Sequence, residues 1–145
     1  MEQYIENKLI EGLNKLWSAK QTALRKLLKQ ADKEHHLGVN TPEQFAILSR
    51  LASIGYGVAV KEIARETLLP HANITRTLDR MAARGLIHRT MDKTDKRRII
   101  IKLTLEGKKA ARHIKEINQQ LIGILWGNLS EDERALLLTL LSKIA

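Results

Sequence analysis

Pro70-His71-Ala72-Asn73-Ile74-Thr75-Arg76-Thr77-Leu78-Asp79-Arg80-Met81-Ala82-Ala83-Arg84-Gly85-Leu86 is the stretch on which the fold turns. Ile74, Leu78 and Met81 recur at four- and three-residue steps, so on a helix they share one face. The spacing predicts a helix from about His71 to Arg84, with Gly85 as a left-handed cap. Ile74, Leu78 and Met81 would seat it on a preceding short helix. His71, Asn73, Thr75, Arg76, Thr77 and Arg80 spread over the rest of its surface. A helix that enters a major groove needs donors for base edges, and arginine to guanine or asparagine to adenine are the favoured pairings. It also needs short hydroxyls and positive charge for phosphates. This segment supplies all of these.

Downstream the period changes. Ile87-His88-Arg89-Thr90 reads as a short strand, Asp92-Lys93-Thr94-Asp95-Lys96-Arg97 as a polar turn, and Ile99-Ile100-Ile101-Lys102-Leu103 as a β-branched strand. The expected hairpin carries Lys93, Lys96, Arg97 and Arg98 around its turn. A flexible basic loop beside a recognition helix can enter the adjacent minor groove, where negative potential is enhanced. Asp95, two residues before Arg97, can hold that guanidinium in position.

Upstream, Ile5, Leu9, Leu13, Leu16, Trp17, Leu24, Leu27, Leu28 and Ala31 mark a long amphipathic helix that Gly38 ends or follows. Thr41-Pro42-Glu43-Gln44 predicts a new start, with Thr41 capping, Pro42 in the first position and Gln44 completing a capping box. Gly55-Tyr56-Gly57 closes that helix, and a short one follows from about Val60 to Thr67 with Ile63 and Ala64 inward. After Thr104 a helix carries Ala110, Ile114, Ile117, Leu121, Ile124 and Leu125 along one side. The last opens at Ser130-Glu131-Asp132-Glu133, a second capping box. Three short helices followed by a hairpin is the layout of a winged helix-turn-helix. The expected fold is therefore mainly α with a small β-hairpin wing. A single domain of 1–145 is expected, with the winged helix-turn-helix at 41–107 and dimerisation helices at 1–38 and 108–145. The terminal helices carry apolar stripes that so small a middle unit cannot cover, and a symmetric homodimer would cover them.

Charge agrees. The net charge is +9, and residues 61–102, with 11 basic and five acidic side chains, hold two thirds of the excess in less than a third of the chain. A basic region that concentrated is a polyanion footprint. No cysteine is present, which excludes disulfides, thiolate metal sites and thiol redox sensing. Met1–Glu6 shows no basic stretch feeding an apolar run, and no stretch approaches the ~20 apolar residues of a membrane span. A cytoplasmic protein is expected.

The run Asn73 to Met81, followed by Arg84-Gly85-Leu86-Ile87, Asp92-Lys93-Thr94-Asp95-Lys96-Arg97-Arg98 and Leu103-Thr104-Leu105-Glu106-Gly107, resembles the MarR (multiple-antibiotic-resistance) family of transcription regulators. The likeness is close over about 40–107, and the flanking helices agree in order and length. Leu68, where a glycine is common, and Pro70, in place of a Ser/Thr cap, depart from the pattern. The resemblance implies a dimer whose recognition helices enter successive major grooves of a near-palindromic operator, with Arg97 reaching the minor groove and Asp95 supporting it. It also implies release from DNA by a small aromatic or phenolic effector. Trp17, Lys20, Arg25, His36 and Tyr56 are the candidate ligand neighbours.

Competing readings have less in the sequence to carry them. There is no glycine-rich phosphate loop, nucleophile elbow or metal-ligand motif, so neither an enzyme nor a cofactor is expected. His35 and His36 are adjacent, and His113 lies on another helix near Glu106; no i, i+4 histidine pair exists, and surface histidines are the plainer reading over a metal site. A winged-helix protein–protein module is the main alternative, and it would present an apolar or mixed recognition face. RNA binding would call for stacking aromatics that the basic region lacks.

Overall fold

A computed structural model describes residues 1–67 and 69–145, with only the backbone described for His71. The departure at Leu68 lies outside the described residues. The elements are α1 (Glu2–His35), α2 (Pro42–Ile54), β1 (Val58–Ala59), α3 (Val60–Thr67), α4 (His71–Ala83), β2 (Ile87–Met91), β3 (Ile99–Leu103), α5 (Leu105–Trp126) and α6 (Glu131–Ile144). The expected mainly α winged helix-turn-helix is what forms. The chain divides into two compact units, one of Met1–Ala23 with Asn118–Ala145 and one of Leu24–Ile117.

The Leu24–Ile117 unit contains the aliphatic core. Leu28, Val39, Ile47, Leu48, Ile63, Ile74, Met81 and Ile101 are completely shielded. Each side chain of this size contributes about 1.5–3 kcal/mol over leaving it in water. The face that Ile74, Leu78 and Met81 define on α4 is thus its core face. Ala64, expected inward, is half-buried.

The caps explain where the elements stop. α1 runs beyond the apolar pattern to His35 and ends where His36 adopts φ 54°, a left-handed conformation that histidine tolerates better than branched residues. Gly38 follows, also left-handed at φ 73°, and its N–H donates to Asp32 Oδ1 at 2.8 Å. At α2, Thr41 Oγ1 accepts from Gln44 N at 3.2 Å as expected, but the Gln44 side chain accepts from Asn40 N at 2.9 Å. The reciprocal bond therefore falls one residue before the cap, and Gln44 is buried by it. In α6 both bonds of the Ser130/Glu133 capping box form. Pro70 caps α4 without a side-chain bond.

The wing is three-stranded, in the order β1-β3-β2, rather than a two-stranded hairpin. All pairings are antiparallel, with Val58 opposite Ile101 and Arg89 opposite Ile101 on its other side. β1 is only two residues long, too short for a period to announce it. Gly57 lets it close in, because a Cβ there would lie 2.5 Å from Ile100 Cγ2.

One joint holds α4, the wing and α5 together. Gly85 is left-handed at φ 75°, Gly85 N donates to Ala82 O, and Leu86 N donates to Met81 O, which makes a Schellman cap. Thr104 N then donates to Leu86 O at 3.0 Å, and the Thr104 hydroxyl donates to Gly85 O. The same hydroxyl oxygen accepts from Gly107 N at 3.0 Å, so it caps α5 as well. Two separated motifs, Arg-Gly-Leu and Leu-Thr-x-x-Gly, are the two halves of this contact.

The Met1–Ala23 and Asn118–Ala145 unit has no fully buried apolar side chain before residue 24. Ile5, Leu9, Leu13 and Trp17 of α1 are half-exposed or more, as are Ile124 of α5 and Leu136, Leu138 and Ile144 of α6.

Candidate nucleic-acid interface

Helix α4 presents two faces. Ile74, Leu78 and Met81 are buried, while Asn73, Thr75, Arg76 and Arg80 are exposed and Thr77 is half-buried. Asn73, Arg76, Thr77 and Arg80 stand at helical neighbour spacing and line one shallow cleft with Thr41 and Glu43 at the start of α2. Arg76 and Arg80 make no ion pair among the described residues. The side chain of His71 lies outside the described residues.

The wing turn is built by its acids. Asp92 N donates to Arg98 O at 2.9 Å, and Arg98 N donates to Asp95 O at 2.9 Å, closing the loop. Asp92 Oδ1 accepts from the Thr94 backbone N–H at 3.1 Å and from its hydroxyl at 3.0 Å. These two bonds hold the Asp92 carboxyl below its ordinary range, with the Arg98 charge assisting and partial desolvation opposing. Asp95 Oδ1 accepts from Arg97 N at 3.1 Å and Arg97 Nε at 3.3 Å, so the carboxylate supports the guanidinium as the sequence suggested. The Arg97 side chain is 93% exposed and points its remaining donors outward. Lys93 and Lys96 are exposed beside it and make no ion pair among the described residues.

Two of the side chains expected at the interface also bond within the protein. The Thr77 hydroxyl donates to Asn73 O at 2.6 Å, one helical turn back. Arg98 pairs with Glu62 of α3, with Asp92 at 3.9 Å, and so anchors the base of the wing. Sequence reasoning also missed three ties: Arg89 to Asp79 at 2.6 Å joins β2 to α4, Arg84 to Gly38 O at 2.6 Å joins the end of α4 to the α1–α2 connection, and Arg50 to Glu66 joins α2 to α3. Their partners lie 10, 46 and 16 residues apart, and no local pattern couples them. The Arg89–Asp79 pair matters to the interface, because it neutralises the one acid on the exposed side of α4.

The depressed Asp92 carboxyl makes a pH prediction. A lowered folded value means that its contribution is present above its unfolded value of about 3.8 and lost as pH falls through the folded one. The Asp92–Thr94 bonds should therefore persist from neutral pH to below the carboxyl's ordinary value of about 3.8 and be lost only as pH falls further. Asp92→Ala should show the loosened spectrum at neutral pH; an unaltered wing spectrum would remove Asp92 from the turn's support.

Of the candidate ligand neighbours, Tyr56 lines a cavity of about 510 Å³ with Leu51, Gly57, Lys102, Leu103 and Lys108. Trp17, Lys20, Arg25 and His36 do not line it. Lys20 Nζ sits 5.4 Å from the Trp17 ring centroid, a cation–π contact. The His35 and His113 rings stack at 4.1 Å, and among the described residues no group of three or more His, Cys, Asp or Glu could hold a metal. No helix of the described residues is long and apolar enough to cross a membrane.

A polar, cationic recognition helix braced beside a basic wing defines a winged helix-turn-helix DNA-binding protein. Comparisons with known proteins agree. The MarR family pattern matches residues 37–98. The transcriptional regulator HosA of Escherichia coli is 31% identical over 123 residues, covering 83% of this chain and 90% of that protein. The HTH-type regulator YkoM of Bacillus subtilis is 33% identical over 111 residues, 77% of this chain and 70% of that protein. The crystal structure of a mutant E. coli MarR complexed with operator DNA superposes with a TM-score of 0.81 at 26% identity, over 94% of this chain and 93% of that one. The chain belongs to the MarR family, and it is a DNA-binding transcription regulator rather than an enzyme.

Proposed function

We propose that the protein is a homodimeric repressor that reads a near-palindromic operator and occludes a promoter. The observation that carries this reading is the exposed row Asn73, Arg76 and Arg80 on α4 beside the outward Arg97 of the wing. Arg76 and Asn73 read base edges in the major groove. Thr75 and Arg80, with His71 and Thr77 on the same helix, orient on the phosphates. Arg97, flanked by Lys93, Lys96 and Arg98, makes the wing contact in the minor groove and is held there by Asp95. The dimer reading rests on the exposed apolar side chains of residues 1–38 and 108–145, which a second copy would cover. The family resemblance supports release from DNA by a small aromatic or phenolic ligand.

Two recognition helices related by a two-fold axis fit half-sites about one helical turn, ~10 base pairs, apart. Inserting about half a turn (~5 base pairs) between the half-sites puts them on opposite faces of the duplex and should abolish tight binding, and a full-turn insertion should restore part of it. Binding that ignores the insertion would mean that one subunit reads the site alone. Arg97→Ala should weaken binding across sequences at low salt, by about tenfold or more for a dimer that loses two charged contacts; an unchanged affinity would take the wing out of the mechanism.

A further inference from the structure

Among the acids of residues 41–107, Glu43 stands apart. Glu62, Glu66, Asp79, Asp92, Asp95 and Glu106 each pair with an arginine or a lysine. Glu43 makes no ion pair among the described residues. It lies half-buried in the shallow cleft where the start of α2 meets the polar face of α4, and it is the one acid lining that cleft. The cations of the same cleft are Arg76 and Arg80, which are unpaired as well.

An acid in the first turn of α2 suits the positive end of that helix. The dipole accounts for a carboxylate at this turn, but not for leaving it unpaired in one cleft with two arginines. On a face that meets phosphates, an uncompensated carboxylate opposes binding to any duplex. The opposition ends where the carboxylate gains a donor. A guanidinium has more N–H donors than a bidentate contact to guanine uses, so an arginine on a base keeps donors for a carboxylate behind it. The wing already holds such a pair, with Asp95 accepting from Arg97 N and Nε.

We propose that Glu43 is a positioning residue for Arg76. On the operator its carboxylate accepts from the Arg76 guanidinium and fixes it in the plane that meets a guanine edge. On an unrelated duplex the carboxylate stays unpaired and repels phosphates. One side chain thus raises affinity for the operator and lowers it elsewhere. This role rests on the reading of Arg76 as the residue that contacts a base.

The test compares the wild type with Glu43→Gln, which removes the charge and keeps the size, on two duplexes. One is the sequence that the wild type enriches from a randomised duplex pool, and the other is a scrambled duplex of the same composition. Binding to the enriched duplex should weaken about tenfold, because a two-fold complex loses two charge-assisted bonds. Binding to the scrambled duplex should tighten about two- to fivefold at low salt, because two repelling charges are gone. The opposite signs are the signature. A fall on both duplexes would make Glu43 a structural residue of α2, and a rise on both would make it a plain repelling charge; either overturns its role. In an Arg76→Ala background, Glu43→Gln should no longer weaken binding to the enriched duplex. A loss that persists there would also overturn the pairing with Arg76. If the wild type enriches no sequence, the operator reading falls and takes this role with it. If it enriches one and Glu43→Gln leaves both affinities unchanged, only the role of Glu43 falls.

Discussion

Arg76→Ala is expected to erase most of the difference between operator and unrelated duplex while leaving the fold intact. The side chain is exposed on the outer face of α4 and makes no ion pair among the described residues. Its loss should therefore not move the melting temperature. A bidentate arginine–guanine contact discriminates by about 1–3 kcal/mol, and a two-fold complex loses two. The expected cost is about 2–6 kcal/mol, a drop in operator affinity of at least about 30-fold. Paired titrations on operator and scrambled duplex separate the roles. A fall confined to the operator assigns Arg76 to base reading; an equal fall on both makes it a phosphate contact. Unchanged preference would refute its assigned role.

Gly107→Ala is expected to have the largest effect on stability. A Cβ at this position would overlap the Leu86 carbonyl oxygen and press on Leu103 Cδ2 at 3.2 Å. That carbonyl cannot retreat, since it accepts from Thr104 N at 3.0 Å inside the joint of α4, the wing and α5. Relief would come only from prying α5 off the turn, with the Thr104 cap lost as well. The expected cost is about 3 kcal/mol or more, roughly a 10 °C fall in melting temperature for a chain of this size. Gly85→Ala is the informative comparison. It forces a left-handed alanine but meets no atom within 4 Å, so about 1–2 kcal/mol is expected. If the two variants melt together, backbone conformation rather than close packing is what the motif needs.

The fold was legible because its signals are local. The period of Ile74, Leu78 and Met81, the cap at Gly85, the restart at Thr41-Pro42 and the box at Ser130 each declare an element within a few residues. The β-branched run beyond the charged turn, with the short strand before it, declared β2 and β3. What stayed hidden was long-range or very short. Two residues of β1 carry no period, and their strand character comes from pairing with Ile100 and Ile101. At the candidate interface, residue types marked out the polar face of α4 and the Asp95–Arg97 pair, which lie within one helix and one turn. They could not reveal that Arg98 is taken by Glu62, 36 residues away, or that Arg89 neutralises Asp79. Nor could they gather the cavity of Leu51, Tyr56, Lys102 and Lys108, which meet only through the packing of α2, β3 and α5.

Recognition of a particular duplex by this face of α4 and the wing is what the proposed function requires. Its most direct test is fluorescence anisotropy of the purified protein on the DNA upstream of its own gene, with excess nonspecific duplex and a salt series. Submicromolar binding that resists the competitor is expected. With about eight phosphates neutralised per dimer, log affinity should fall against log salt with a slope of about −7. No binding even at low salt would contradict it, and the basic hairpin would then have to serve a partner other than DNA.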